Sequence, residues 1–137
     1  MGLLSGCAGK PPEKRGLDEG NLLACPDKPN CVSTAIESSA RYVAPFEYSG
    51  KREDAIATMV QIVSEMGNTT ILEEDDGYFW VECSSRMFGF IDDLEIYFPA
   101  EKKLVYIRSA SRLGYSDFGV NRRRVEKIRE HFIRKNN

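Results

Sequence analysis

The chain has 137 residues, 42% hydrophobic and 29% charged, with a formal net charge of −2, which is enough for one hydrophobic core and one domain. That composition excludes an intrinsically disordered chain, and the slight acidity argues against a protein whose work is to neutralise nucleic-acid phosphates. Beyond residue 10 no apolar run approaches the roughly 20 residues that a membrane-spanning helix needs, so membrane contact has to come from an anchor.

The first residues offer one. Leu4-Ser5-Gly6-Cys7 fits the bacterial lipobox, in which small residues ahead of a cysteine let a signal peptidase reach the backbone once the thiol carries a diacylglyceryl group. The competing reading is a leader with an incidental cysteine. Residues 8–16 are polar, rich in Pro and Gly and without apolar periodicity, the composition of a spacer. Residues 1–20 are therefore expected to be an anchor remnant and flexible spacer, and residues 21–137 a single globular domain. The expected location is the bacterial cell envelope, facing the periplasm, with the lipid anchor as the only membrane contact.

Cys25-Pro26-Asp27-Lys28-Pro29-Asn30-Cys31 brackets a short loop stiffened by two prolines. In an oxidising compartment a bridge between these cysteines would contribute about 2 kcal/mol. Two free thiols and a metal site are the alternatives, the latter poorly supported because the single histidine, His131, lies far away. Cys83 sits in an apolar strand and reads as a small buried hydrophobe. No cofactor is expected, since glycine-rich phosphate loops and metal-ligand clusters are missing from the sequence.

The elements follow in chain order. Residues 41–48 read as a strand that Pro45 assigns to an edge. Ser49 is expected to cap a helix in which Ala55, Ile56, Met59, Val60, Val63 and Met66 recur at helical spacing, ended by Gly67 in a left-handed conformation. Residues 69–74, the turn Asp75-Asp76-Gly77 and residues 78–85 make a hairpin, with Trp80 part of its apolar content. In residues 93–98, Leu94, Ile96 and Phe98 alternate with Glu95 and Tyr97, as expected of a strand with one buried and one wet face. Residues 103–110 form the last strand, and residues 121–135 a helix with Val125, Ile128 and Phe132 on one side. The order β-α-β-β-β-β-α implies an α+β fold: an antiparallel sheet of about five strands with both helices on one face. The other face is left to bind something or to pair with a second copy, so a monomer and a homodimer both stand.

Two stretches mix charge with glycine and aromatics: residues 85–93, containing Arg86, Asp92 and Asp93, and residues 108–124, containing Arg108, Arg112, Tyr115, Asp117, Asn121 and Arg122. With the cysteine loop they carry Cys-Pro-x-x-Pro-Asn-Cys-Val at 25–32, Arg-x-Phe-Gly-Phe-x-Asp-Asp at 86–93 and Ser-Ala-Ser-Arg-x-Gly-Tyr-Ser-Asp-x-Gly-x-Asn-Arg at 109–122. In this the chain resembles the bacterial and plant domain-of-unknown-function family 1499, over residues 22–134. The resemblance implies a common fold and a common site, names no activity, and gives Cys83 no role.

These residues support three readings. In the structural one, Asp92, Asp93 and Asp117 pair with Arg86, Arg108 and Arg112 at the end of the sheet, while Asp117 or Asn121 caps the last helix. In the second, Arg112, Tyr115, Asn121 and Arg122 hold phosphate, sulfate or a carboxylate near the helix amino end. In the third, a hydrolase or isomerase uses Asp92 or Asp117 as base beside an arginine. Asp92 and Asp93 are poor partners for each other, since neighbouring strand residues face opposite ways. Arg122, Arg123 and Arg124 fan around a helix diluted by Glu126 and Glu130, so no nucleic-acid partner is expected. The leading expectation is a non-enzymatic envelope lipoprotein domain that binds a small anionic ligand or a protein partner through Arg86, Arg112 and Tyr115. A catalytic domain and a self-associating structural domain are its rivals.

Overall fold

Alternating apolar residues between 69 and 111 become four long antiparallel strands, and the two helical periodicities become the helices that cover one side of them. The computed structural model describes residues 9–85 and 89–136. Its elements are β1 (Leu17–Asp18), β2 (Asn21–Leu22), β3 (Cys31–Ser33), β4 (Phe46–Glu47), α1 (Arg52–Glu65), β5 (Thr69–Asp75), β6 (Tyr78–Ser84), β7 (Ile91–Tyr97), β8 (Leu104–Ser111) and α2 (Val120–Asn136). β1 and β2 form a small hairpin, and the main sheet has the order β3-β8-β7-β6-β5, with β4 pairing farther along the same edge of β8 as β3. No described helix is long and apolar enough to cross a membrane.

The expected α+β architecture is therefore present, with six strands in the main sheet and an altered start. β3, which starts at the second cysteine of the loop, pairs Cys31 with Ala110 and Ser33 with Arg108. The strand expected over 41–48 shrinks to Phe46 and Glu47, because Pro45 donates no hydrogen bond and the preceding residues turn back on β3, where Val43 N–H donates to Ser33 O.

Asp76 and Gly77 both have positive φ, 44° and 84°, the conformation of a two-residue turn that matches strand twist. A Cβ on Gly77 would run into the Arg52 guanidinium, which donates to the carbonyls of Phe98 and Asp76. This contact pins the start of α1 to the hairpin. Ser49 does not cap α1; Lys51 holds that position without a side-chain bond, and Ser49 N–H donates instead to Asn136 Oδ1. Glu53 and Asp54 in the first turn complement the helix dipole. At the other end Gly67 adopts the expected left-handed φ of 76°.

The core lies between helices and sheet. Ala55, Met59, Ile62 and Val63 of α1, with Val125, Ile128 and Phe132 of α2, pack on Phe79, Val81, Leu94, Ile96, Val105 and Ile107. Phe132 is the hub of an aromatic cluster, with ring centroids 6.0 Å from Phe46 and 6.4 Å from Tyr48 and Phe98. Trp80 departs from its expected place. It points to the opposite face, where the Arg15 guanidinium stacks 3.7 Å from its ring centroid. That face is neither open nor wet: residues 9–30 lie across it, and Glu95, expected in water, is 0% exposed.

Replacing Phe132 with Ala removes the ring that joins Phe46, Tyr48 and Phe98 to α2, and is expected to lower stability by about 3–5 kcal/mol. A loss from urea unfolding of less than a third of that would show that the cluster is not the centre of the core.

Candidate functional site

Alternation along β7 sends Asp92 toward the helices and Asp93 away from them. On the helix side Asp92 Oδ2 is ion-paired with Arg124 at 2.8 Å. Beside it lies Asn121, fully buried. Its Nδ2 donates to Asn30 O (3.1 Å) and faces Ser111 Oγ (2.9 Å) and Asp117 Oδ2 (2.8 Å). Its Oδ1 accepts from Ser109 Oγ–H (2.6 Å) and Arg124 (2.8 Å). Asp117 accepts the backbone N–H groups of Gly119 and Asn121, closing the first turn of α2 as a cap does. Burial works to raise the Asp117 carboxyl, but these hydrogen bonds outweigh it and hold the group below its ordinary value.

On the far side Arg112 grips Asp93 with two bonds of 2.8 Å and reaches Glu82 at 2.7 Å, the bidentate geometry that suits a guanidinium. Trp80 Nε1–H donates to Asp93 at 2.8 Å. Farther along, Glu95 Oε2 accepts from Tyr78 O–H and Gly16 N–H, both at 2.7 Å. Burial, then the Glu95 hydrogen bond and charge, raise the Tyr78 phenol well above its usual range. Arg108 answers Glu95 only loosely, at 3.6 Å, and reaches Ala24 O at 3.4 Å. Among the described residues, Arg108 Nε and Glu95 Oε1 are buried without a hydrogen-bond partner.

Two cavities flank this end of β8. One, of about 170 Å³, lies between the sheet and the amino-terminal strap; its cations are Lys10, Lys14, Lys28, Arg108 and Arg112. Asn30 and Cys31 are also in its wall. Cys25 and Cys31 are joined by a disulfide, with Cα atoms 5.7 Å apart. The second cavity, about 570 Å³, opens where Ser85 and Phe90 face residues 113–118, with Phe90, Leu113, Phe118 and Val120 as its apolar wall and Asp92 and Asp117 beside it.

The residues singled out in the sequence thus fall into separate groups. Asp93, Arg108 and Arg112 share the far face, while Asp92, Asp117 and Asn121 share the helix face. The four residues of the expected anion site are dispersed. Arg112 is committed to Asp93 and Glu82, Asn121 is saturated, and Tyr115 is exposed in the loop. Arg122 donates to the carbonyls of Tyr42 and Ala40 at the sheet edge. Cys7 and Arg86 lie outside the described residues. Sequence reasoning missed Arg15, Glu82, Glu95, Arg124 and the three lysines; a glutamate inside an otherwise apolar strand was the one signal for Glu95. Cys83 is a buried free thiol that burial pushes up to about 11.

Removing the Asp117 carboxylate with Ala is expected to cost about 1–2 kcal/mol at neutral pH, as for other helix caps. Because the folded carboxyl titrates below its ordinary value of 3.8, that contribution is complete above this value and vanishes as pH falls through the folded one. Urea midpoints of the two proteins should therefore converge in acid; a gap that persists there would assign the stability to something other than the charge.

Residues 21–132 match the family described as Protein of unknown function (DUF1499), and the chain belongs to that family. No curated protein and no solved structure matches the chain.

Proposed function

We propose that this family member is an exported, non-enzymatic binding domain, held to a membrane by a lipid on Cys7, and that the basic cavity under its strap takes a small oxyanion. Phosphate, sulfate and a carboxylate share the required chemistry. The observation that carries this reading is Arg108. Arg108 lines the cavity, its side chain is almost wholly buried, and its Nε–H has no partner among the described residues, a costly state that an oxyanion reaching it would relieve. Lys10, Lys14 and Lys28 add positive charge at the rim, and the one carboxylate in the lining, Asp93, is already neutralised by Arg112. At roughly 30 Å³ per water, 170 Å³ is room for a tetrahedral oxyanion with some water beside it.

The state of the other candidates supports binding over catalysis. A general base needs a free lone pair and a value near the working pH. Asp92 is tied to Arg124, and Asp117 is held low by three donors of the α2 first turn. The Cys83 thiol stays protonated at neutral pH. Support for the tether is the Leu4-Ser5-Gly6-Cys7 pattern alone.

Titrating the full chain with inorganic phosphate and with sulfate in a calorimeter is expected to give saturable binding. The double variant Lys14→Glu, Lys28→Glu should weaken it by about tenfold or more, a loss near 1.4 kcal/mol. Absence of saturable binding, or equal affinity in the variant, refutes the anion site. The tether has its own readout: intact mass of the protein recovered from its native envelope should place acyl chains on Cys7, and an unmodified Cys7 removes the anchor.

A further inference from the structure

The amino-terminal segment does not trail away from the domain. Gly9 is buried with φ +85°, and a Cβ there would sit 2.9 Å from Leu113 Cγ and 3.1 Å from Arg112 Cβ. Cys7 is two residues earlier. Two residues of chain span at most about 7 Å, so the backbone of an acylated Cys7 lies within that distance of the place where Gly9 meets Leu113, and the bilayer is farther only by the length of the thioether and glyceryl linker.

That place is the apolar end of the molecule. Phe90, Leu113, Tyr115, Phe118 and Val120 are all exposed, Phe118 at 86%, and four of them wall the 570 Å³ cleft. Exposed apolar residues scattered singly need no explanation, but several gathered around one opening mark a surface that meets another apolar phase. Aromatic side chains with a polar or exposed edge favour the membrane interface.

We infer that this end is a membrane-docking face: the tip formed by Phe90, Leu113, Tyr115 and Phe118 seats in a phospholipid bilayer surface, with the cleft mouth turned toward it. The inference rests on the tether reading above. It changes what the tether does, because residues 9–20 are engaged with the sheet, which leaves too little free chain for a long stalk. A lipid on Cys7 fixes the height of the domain, and the apolar tip fixes its orientation. A diacylglyceryl group with its two chains already anchors stably; what the tip adds is a fixed orientation.

The test supplies the tether chemically. In the full chain Cys25 and Cys31 are bonded and Cys83 is buried, so a maleimide phospholipid couples to Cys7. The coupled protein is placed in phosphatidylcholine vesicles containing brominated lipid. A Phe118→Trp variant reports the tip, and Lys102→Trp reports the turn between β7 and β8, about 20 Å away along the strands; Trp80 is common to both. Emission added by Phe118→Trp should be quenched several-fold more strongly than that added by Lys102→Trp. Equal quenching of the two, or none at the tip, overturns the inference. So does sedimentation showing that the uncoupled chain dimerises and that Phe118→Glu abolishes the dimer, which would give the face to a second copy. Because the lipid is attached in vitro, this result is independent of whether Cys7 is acylated in the cell, and mass analysis of the native protein separates the two failures.

Discussion

The architecture turns on one burial problem: Glu95, in the middle of the sheet, has no access to water. An ionised carboxylate in such a place costs several kcal/mol unless charge and hydrogen bonds answer it. Tyr78 and Arg108, on the neighbouring strands, supply part of the answer and the backbone N–H of Gly16 another part, while Oε1 keeps no hydrogen bond among the described residues. The amino-terminal segment is thus not an accessory. It carries a ligand for the buried charge, and Arg15 beside it stacks on Trp80 and pairs with Glu73. Once the strap is fixed there, Lys10, Lys14 and the disulfide loop are held over Arg108 and Arg112. The basic cavity is a consequence of how Glu95 is satisfied.

β8 relates the two faces. Ser109 and Ser111 point to the Asn121 network under α2, whereas Arg108 and Arg112 point to the strap. Asn30 joins both sides. Its carbonyl accepts from Ser111 N–H and from Asn121, and its amide donates to Gly114 O. It sits next to Cys31, so the disulfide holds the residue that links the β8–α2 loop to the edge strand. A bridge closing so short a loop contributes about 2 kcal/mol, under the figure for longer loops; its structural value is the placement of Asn30.

Much of this was legible in the sequence, and the failures have specific causes. The helices and the Asp76-Gly77 hairpin announce themselves because periodicity and turn chemistry agree. β3 does not, since three residues buried on both faces show no alternation. Alternation makes Glu95 look wet because it tells which face a residue takes, not whether that face is covered. The covering segment escaped notice in turn: it binds through one guanidinium and one backbone N–H, which leave no apolar pattern. At the sheet end the sequence motifs marked the right loops, and the pair Asp93–Arg112 is of the kind expected. Asp92, however, chose Arg124, a residue that the helix sequence assigned to a solvated surface.

The same segment also constrains how ligand and anchor relate. Between Cys7 and the Arg15–Trp80 stack, the strap contributes Lys10, Pro12 and Lys14 to the cavity wall and leans Gly9 on Leu113 of the apolar tip. Five cations then face three carboxylates, Glu82, Asp93 and Glu95, and the three exposed lysines among them are brought to the cavity by the path of residues 10–28. Residues 112–113 stand on both sides of this arrangement: Arg112 is in the cavity wall and Leu113 in the cleft wall. One short stretch of backbone thus carries a residue of each wall, and the strap touches both through Lys10 and Gly9.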